Sequence, residues 1–342
     1  MALLKSCQKI VGEALARPDL KINLWLWGPP GVGKSSVVHT EARRLGLPVI
    51  DLRGVTCDPT DVRGFPMVQD GVVRWARPEF LPSEGEGVLF LDELGQAPAL
   101  VQAALLQLTL DRRVGEHLLP PGWRIIAASN RLTDRAGVGR LNTALLDRFV
   151  HLEVEIAAEE WNEWALDAGI GSQVRSFLQF RPQLLSAFDP AERVSPSPRS
   201  WATAARLIAL LGSEPVLLHT ALAGTVGAGP AAELSAFLRC YETLPSLAEI
   251  LRHPESIKIP KDPSLCYALA GLPGELAREA KPAGVNALCK LAIRLPAEFA
   301  VVALRDLVRL RPELVVRNAQ VRAFLVEHKH LISSGESLGA AA

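Results

Sequence analysis

Apolar positions change their spacing near residue 157, and that change divides the chain. Before it, short apolar runs alternate with stretches of helical period. Leu3, Leu4, Cys7, Ile10, Val11, Ala14 and Leu15 recur at helical spacing, which predicts an opening amphipathic helix before Pro18. Apolar runs follow at 22–27, 47–52, 88–91 and 124–129, with a fifth strand at 150–154. The first four lack strict polar alternation, as strands buried on both faces do. Helical segments at 34–45, 99–110 and 143–148 lie between most of the strands. This βα alternation predicts an α/β fold with a doubly wound, parallel five-stranded sheet.

Past residue 157 the strand signals fade, and Ala, Leu and Arg dominate, punctuated by Pro and Gly. The spacing predicts helices at 159–168, 172–180, 200–211, 214–223 and 231–241, with a glycine-rich break at 224–230. Further helices are expected near 247–251, 264–270, 285–293, 297–310 and 318–328. Residues 333–342 carry no pattern and are expected to be disordered. No internal repeat stands out.

Composition narrows the classes. A chain of 342 residues, 49% of them hydrophobic, can build two domains with sizeable cores. Lys plus Arg and Asp plus Glu number 37 each, so a zero net charge gives no support for a general nucleic-acid binder. The five cysteines are scattered without a C-x-x-C, which predicts free thiols in a reducing compartment. The polar start is not that of a signal peptide and no apolar run reaches membrane-spanning length, so a soluble, cytoplasmic protein is expected. The seven histidines show no H-x-x-x-H and no clustering with cysteine, so no structural metal is expected.

The candidate chemistry begins at Gly28-Pro29-Pro30-Gly31-Val32-Gly33-Lys34-Ser35-Ser36, between the first strand and the following helix. G-x-x-x-x-G-K-S in that setting is a phosphate-binding loop. Glycines let the backbone aim successive N–H groups at one point, where the helix also directs its positive dipole end. Lys34 supplies a point charge for the β- and γ-phosphates, and Ser35 a hydroxyl for Mg²⁺. The third strand ends in Asp92-Glu93, where parallel sheets bind ligands. Asp92 suits the Mg²⁺ shell, and Glu93 suits activation of water. Asn130, after the fourth strand, is either a turn residue or a group that orients the attacking water. Arg148, closing 145–149, either complements a helix C-terminus or stabilises a transferring phosphoryl group from a neighbouring subunit; Arg140 is the next candidate. Arg199 follows Ser197 and Pro198, an N-cap and first-turn pair, at a place where a cation opposes the helix dipole and suits an anionic partner.

Two stretches read as hairpins. Asp70-Gly71 between valine-rich arms is a two-residue turn signal, and 111–121 is a second candidate with an Arg pair. Gly224 to Gly229 imitates a nucleotide loop, but it follows a helical segment and reads as a helix–helix turn.

Together these motifs resemble the AAA+ ATPases, nearest to the MoxR-type and dynein-related branch. The matching residues are 28–36 as Walker A, 88–93 as Walker B, Asn130 as sensor 1, 145–149 with Arg148 as finger, and Ser197-Pro198-Arg199 as sensor 2. The resemblance implies a sheet order of 5-1-4-3-2, a helical lid and hexameric rings with ATP at subunit interfaces. It makes the hairpin at about 65–76 a helix-2 insert directed toward a pore or partner. It divides the chain into a core at 1–156, a lid at 157–245 and a C-terminal helical extension at 246–342. The function so implied is Mg²⁺-dependent ATP hydrolysis that remodels a partner protein, often one with a von Willebrand factor A domain. A nucleic-acid motor or loader on the same core and an ATP-gated scaffold with little turnover are the alternatives. The first finds no aromatic-plus-basic interleaving, and the second has no need of Glu93, Asn130 and Arg148.

Overall fold

The computed structural model describes residues 2–134, 141–189 and 191–328. These form two compact units: one runs through Ala157 and includes 188–193, and the other holds 158–187 and the residues from Val194 onward.

The first unit contains β1 (Ala2–Leu3), α1 (Leu4–Ala16), β2 (Leu24–Trp27), α2 (Lys34–Arg44), β3 (Val49–Arg53), α3 (Pro59–Arg63), β4 (Pro66–Gln69), β5 (Val72–Trp75), β6 (Glu86–Asp92), α4 (Ala99–Asp111), β7 (Arg113–Val114), β8 (His117–Leu118), β9 (Gly122–Ser129), α5 (Thr143–Leu146) and β10 (Val150–Glu155). The main sheet runs β1-β10-β2-β9-β6-β3, all neighbours parallel. Its five principal strands thus stand in the order 5-1-4-3-2. The two-residue β1 at the edge is an addition that the opening helical pattern concealed.

The apolar runs are explained by coverage on both faces. Trp25, Trp27, Leu89, Leu91, Ile125 and Ala127 pack with Val101, Leu105 and Leu108 of α4. The alternate residues Leu24, Leu26, Val88, Phe90, Ile126 and Ala128 pack with α1 and α2 through Val11, Leu15, Val37 and Val38. The side-chain period of two therefore feeds two cores from each strand.

In the second unit the helices are α6 (Ala158–Asp167), α7 (Ser172–Phe180), α8 (Pro198–Leu211), α9 (Pro215–Val226), α10 (Ala228–Tyr241), α11 (Leu247–Arg252), α12 (Pro263–Leu276), α13 (Pro282–Ala292), α14 (Ala297–Leu310), α15 (Pro312–Val315) and α16 (Ala319–Glu327). Two expectations need correction here. The break expected at 224–230 shrinks to Gly227, at φ 90°. Gly224 continues α9, and Pro230 sits in the first turn of α10, where its missing N–H costs nothing. The helix expected at 264–270 runs on through Pro273 to Leu276. There the buried face built by Cys266, Leu269, Ala270, Gly271 and Gly274 outweighs the lost backbone bond. Residues 333–342, expected to be disordered, lie outside the described residues.

Candidate functional site

Three neighbouring strands place the motifs. Trp27 of β2 is in register with Ser129 of β9, and Leu91 of β6 with Ala127. The segments that leave these strands at their carboxyl ends, 28–33, 92–93 and Asn130, are thereby brought together.

The loop is held from within. Gly31 and Gly33 have φ of 78° and 106°, in the region that favours glycine. A Cβ on Gly28 would lie 2.6 Å from the Val154 carbonyl oxygen, so only glycine lets the loop start directly against β10. Val32 is buried in the core formed with α1 and α2. Lys34 begins α2 and is buried; its Nζ donates to the carbonyls of Gly28 at 2.8 Å and Pro29 at 3.0 Å, and to Asn130 Oδ1 at 3.0 Å. Ser35 Oγ donates to Asp92 Oδ2 at 3.0 Å. Ser36, in the first turn of α2, is exposed. The two hydroxyl and carboxylate oxygens expected to hold a metal thus face one another, and the cation expected to meet phosphate shares its position with Asn130.

Glu93 follows with φ 55° and ψ 31°. A residue other than glycine there carries roughly 1–3 kcal/mol of backbone strain. The Glu93 N–H donates to Asp92 Oδ1 at 3.0 Å, and its carbonyl accepts from Gln96 N at 3.0 Å, so the acidic pair is fixed by its own turn.

Arg148 stands after α5, half-buried, and its Nη1 donates to the Ala144 carbonyl in this structure. Its own carbonyl accepts from Asn23 Nδ2 at 3.2 Å. Arg140 lies outside the described residues. Arg199 is exposed in the first turn of α8, in the second unit, behind a Ser197 side chain that caps Ser200 N. Among the described residues it forms no ion pair.

Sequence reasoning missed several residues of the site. Ser129 Oγ accepts from Trp25 Nε1 at 2.9 Å and from Gly95 N at 2.7 Å, tying β2 and the turn after Glu93 to one hydroxyl. As the polar end of an apolar strand, it carried no separate signal. Asp51 of β3 is near enough to Asp92 to feel it: burial chiefly pushes its carboxyl up from the ordinary value, and the Asp92 charge adds to that.

The hairpin of β4 and β5 turns at Asp70 and Gly71, with φ of 52° and 74°. Every residue of both strands is exposed, Val68 at 79% among them, and Phe65 just before is 67% exposed. His117, at the second hairpin of β7 and β8, bonds the Trp75 carbonyl at 2.8 Å and joins the two hairpins.

Residues 16–184 match the family model described as the MoxR domain in the MoxR-vWA-beta-propeller ternary systems. Chaperone MoxR1 of Mycobacterium tuberculosis is 35% identical over 138 residues, 38% of this chain and 35% of that protein. Replication factor C subunit 4 of Homo sapiens is 32% identical over 104 residues, 28% of each chain. The chain thus matches about a third of the length of these relatives. Among solved structures, NtrX from Brucella abortus in complex with ADP is 18% identical, covering 97% of this chain and 68% of that one at a TM-score of 0.41.

Proposed function

We propose that this chain, which through residues 16–184 belongs to the MoxR-type AAA+ ATPases, is an Mg²⁺-dependent ATP hydrolase that assembles into a ring, in our reading a hexamer, and remodels a partner protein. The observation that carries the reading is the paired arrangement at the strand ends, Ser35 on Asp92 and Lys34 on Asn130, each at 3.0 Å.

The residues fit nucleotide and metal. Gly31 and Gly33 supply the backbone conformations of a phosphate cradle, and the start of α2 directs the positive end of its dipole there. The Ser35 hydroxyl and the Asp92 carboxylate are hard oxygen donors of the kind Mg²⁺ takes. Bound Mg²⁺·ATP supplies the electrophilic phosphorus and the metal that offsets its charge. Lys34 neutralises phosphate oxygens, and Asn130 holds both Lys34 and the water in line. Glu93 takes the proton from that water. Arg148 acts on the neighbouring subunit's nucleotide, for which it must leave the Ala144 carbonyl. Arg199 serves as the reader of the γ-phosphate, supported by its exposed place in a first turn, where the helix dipole favours an anion.

The exposed apolar hairpin at 66–75 is the partner-facing element in this reading. A two-stranded hairpin with apolar residues on both faces is marginal alone in water and is stabilised by being covered. A von Willebrand factor A domain protein is the proposed partner, in line with the family description. No helix among the described residues is long and apolar enough to cross a membrane, and we place the protein in the cytoplasm.

The test is Lys34→Ala in the full chain. ATP affinity by calorimetry should fall by at least about tenfold, consistent with losing one buried charge-assisted contact of roughly 1.5–3 kcal/mol. Wild-type affinity would contradict the assignment of the loop.

A further inference from the structure

Strand β2 runs into the phosphate-binding loop, and two tryptophans on one of its faces reach the other motifs. Trp25 and Trp27 are two residues apart, so both project toward α4, stacked with ring centroids 4.6 Å apart. Trp25 bonds Ser129, beside Asn130, and its ring meets Phe149, beside Arg148, edge-on at 5.0 Å. Trp27 Nε1 donates to His151 Nδ1 at 2.8 Å. An indole nitrogen can only donate, so Nδ1 is the acceptor and the neutral ring carries its proton on Nε2. That nitrogen donates to the Leu146 carbonyl at 2.9 Å. Leu146 ends α5, two residues before Arg148.

The start of the strand grips the same turn. Asn23 Nδ2 donates to the Arg148 carbonyl at 3.2 Å, and Val150 N donates to the Asn23 carbonyl at 2.9 Å. The Arg148 turn is therefore held from both ends of the strand that carries the phosphate loop. Gly28 has no slack against β10, since a Cβ there would lie 2.6 Å from Val154 O. A shift of the loop is passed to Trp27 and β10 rather than absorbed.

We propose that His151 is a positioning residue that ties the turn bearing Arg148 to Trp27, the last residue before the phosphate loop. Occupancy of a subunit's own loop then sets how that subunit presents Arg148 to its neighbour. The inference rests on the reading of Arg148 as a finger, and it adds the link within one subunit between the nucleotide it holds and the cation it offers.

His151→Phe keeps a planar ring and removes both bonds, whereas His151→Gln retains an acceptor and a donor. In the full chain His151→Phe should bind ATP with wild-type affinity and turn it over up to about 100-fold more slowly, the scale of a 1 Å misplacement. His151→Gln should recover most of the rate. The deciding measurement is mixing. Glu93→Gln subunits keep ATP in their loops, carry an intact turn and barely hydrolyse, so co-assembled with His151→Phe subunits they should restore turnover at the loops of the latter. An effect confined to the subunit's own loop or to stability gives no recovery, and that result overturns the proposal. A wild-type rate for His151→Phe alone overturns it too. If His151→Phe does not fold, Trp27→Phe, which removes the donor and keeps an aromatic ring on Trp25, enters the same mixture. The finger itself is scored separately, by mixing Arg148→Ala with Glu93→Gln. Failure there removes the finger; recovery there with failure of the His151→Phe mixture removes only the link.

Discussion

In the sheet-based unit, Lys34, Ser35, Asp92 and Asn130 hold one another at the ends of parallel strands. In the helical unit, Arg175 of α7, Asn162 of α6 and Asp306 of α14 hold one another between packed helices. The second set is closed. Arg175 and Asp306 are each 2% exposed, and Gly274 leaves no room beside Asp306, where a Cβ would lie 2.5 Å from Oδ2. Burial pushes the Asp306 carboxyl up, and the guanidinium against it pulls the other way. The first set sits where chain segments leave the sheet, beside a strained Glu93 and a glycine loop, and in our proposal its bonds give way to phosphate and a metal. A satisfied ionic group in a helical interior fixes packing; the same chemistry at strand ends, with strain beside it, we read as a site.

If that distinction holds, substitutions in the two sets should separate activity from stability. The largest effect is expected for Arg148→Ala, which should bind ATP normally yet lose about 10³-fold or more in turnover, as an in-trans arginine does; steady-state rates and a melting curve check it, and the melting temperature should not move. Asp306→Ala leaves the Arg175 charge buried and unpaired, and should cost about 3–5 kcal/mol in denaturant unfolding without altering ATP affinity per folded molecule.

The smallest effect sits at the edge of the helical network. Arg309 pairs with Asp167, their side chains 37% and 51% exposed, which limits the pair to less than about 1 kcal/mol. The Asp167 carboxyl is held below its ordinary value, first by the Arg309 hydrogen bond. A folded value lowered in this way stabilises above the unfolded pKa of 3.8, and the gain disappears as pH falls through the folded value. Wild type and Asp167→Asn should therefore differ slightly in melting temperature near neutrality and converge well below pH 3.8. A difference that persists in acid would assign the effect to packing.

The same contrast governs what could be read in advance. The glycine turn and helix start at 28–36 were legible because their residues lie in one contiguous stretch, and the sheet because strands buried on both faces leave unbroken apolar runs. Asn130 could be placed beside the loop once the strand order was known. The bonds of Trp27 to His151 and of Asn23 to Arg148 could not, because they depend on strand register across 124 and 125 residues. Arg175 and Asp306 are 131 residues apart, and an arginine in an amphipathic helix looks like any surface residue. Pro273 misled for a related reason: local propensity ends a helix there, while the face buried around Gly271 and Gly274 carries it on.

Glu93→Gln tests the central claim most directly. It leaves the turn that holds Glu93 intact, since the backbone bonds to Asp92 and Gln96 remain available, and removes only the carboxylate. ATP retention at wild-type affinity, with turnover lowered by about two orders of magnitude or more, is the expected result for loss of a group that takes a proton in the reaction. Turnover at the wild-type rate would contradict the assignment of this strand-end cluster as the site of hydrolysis.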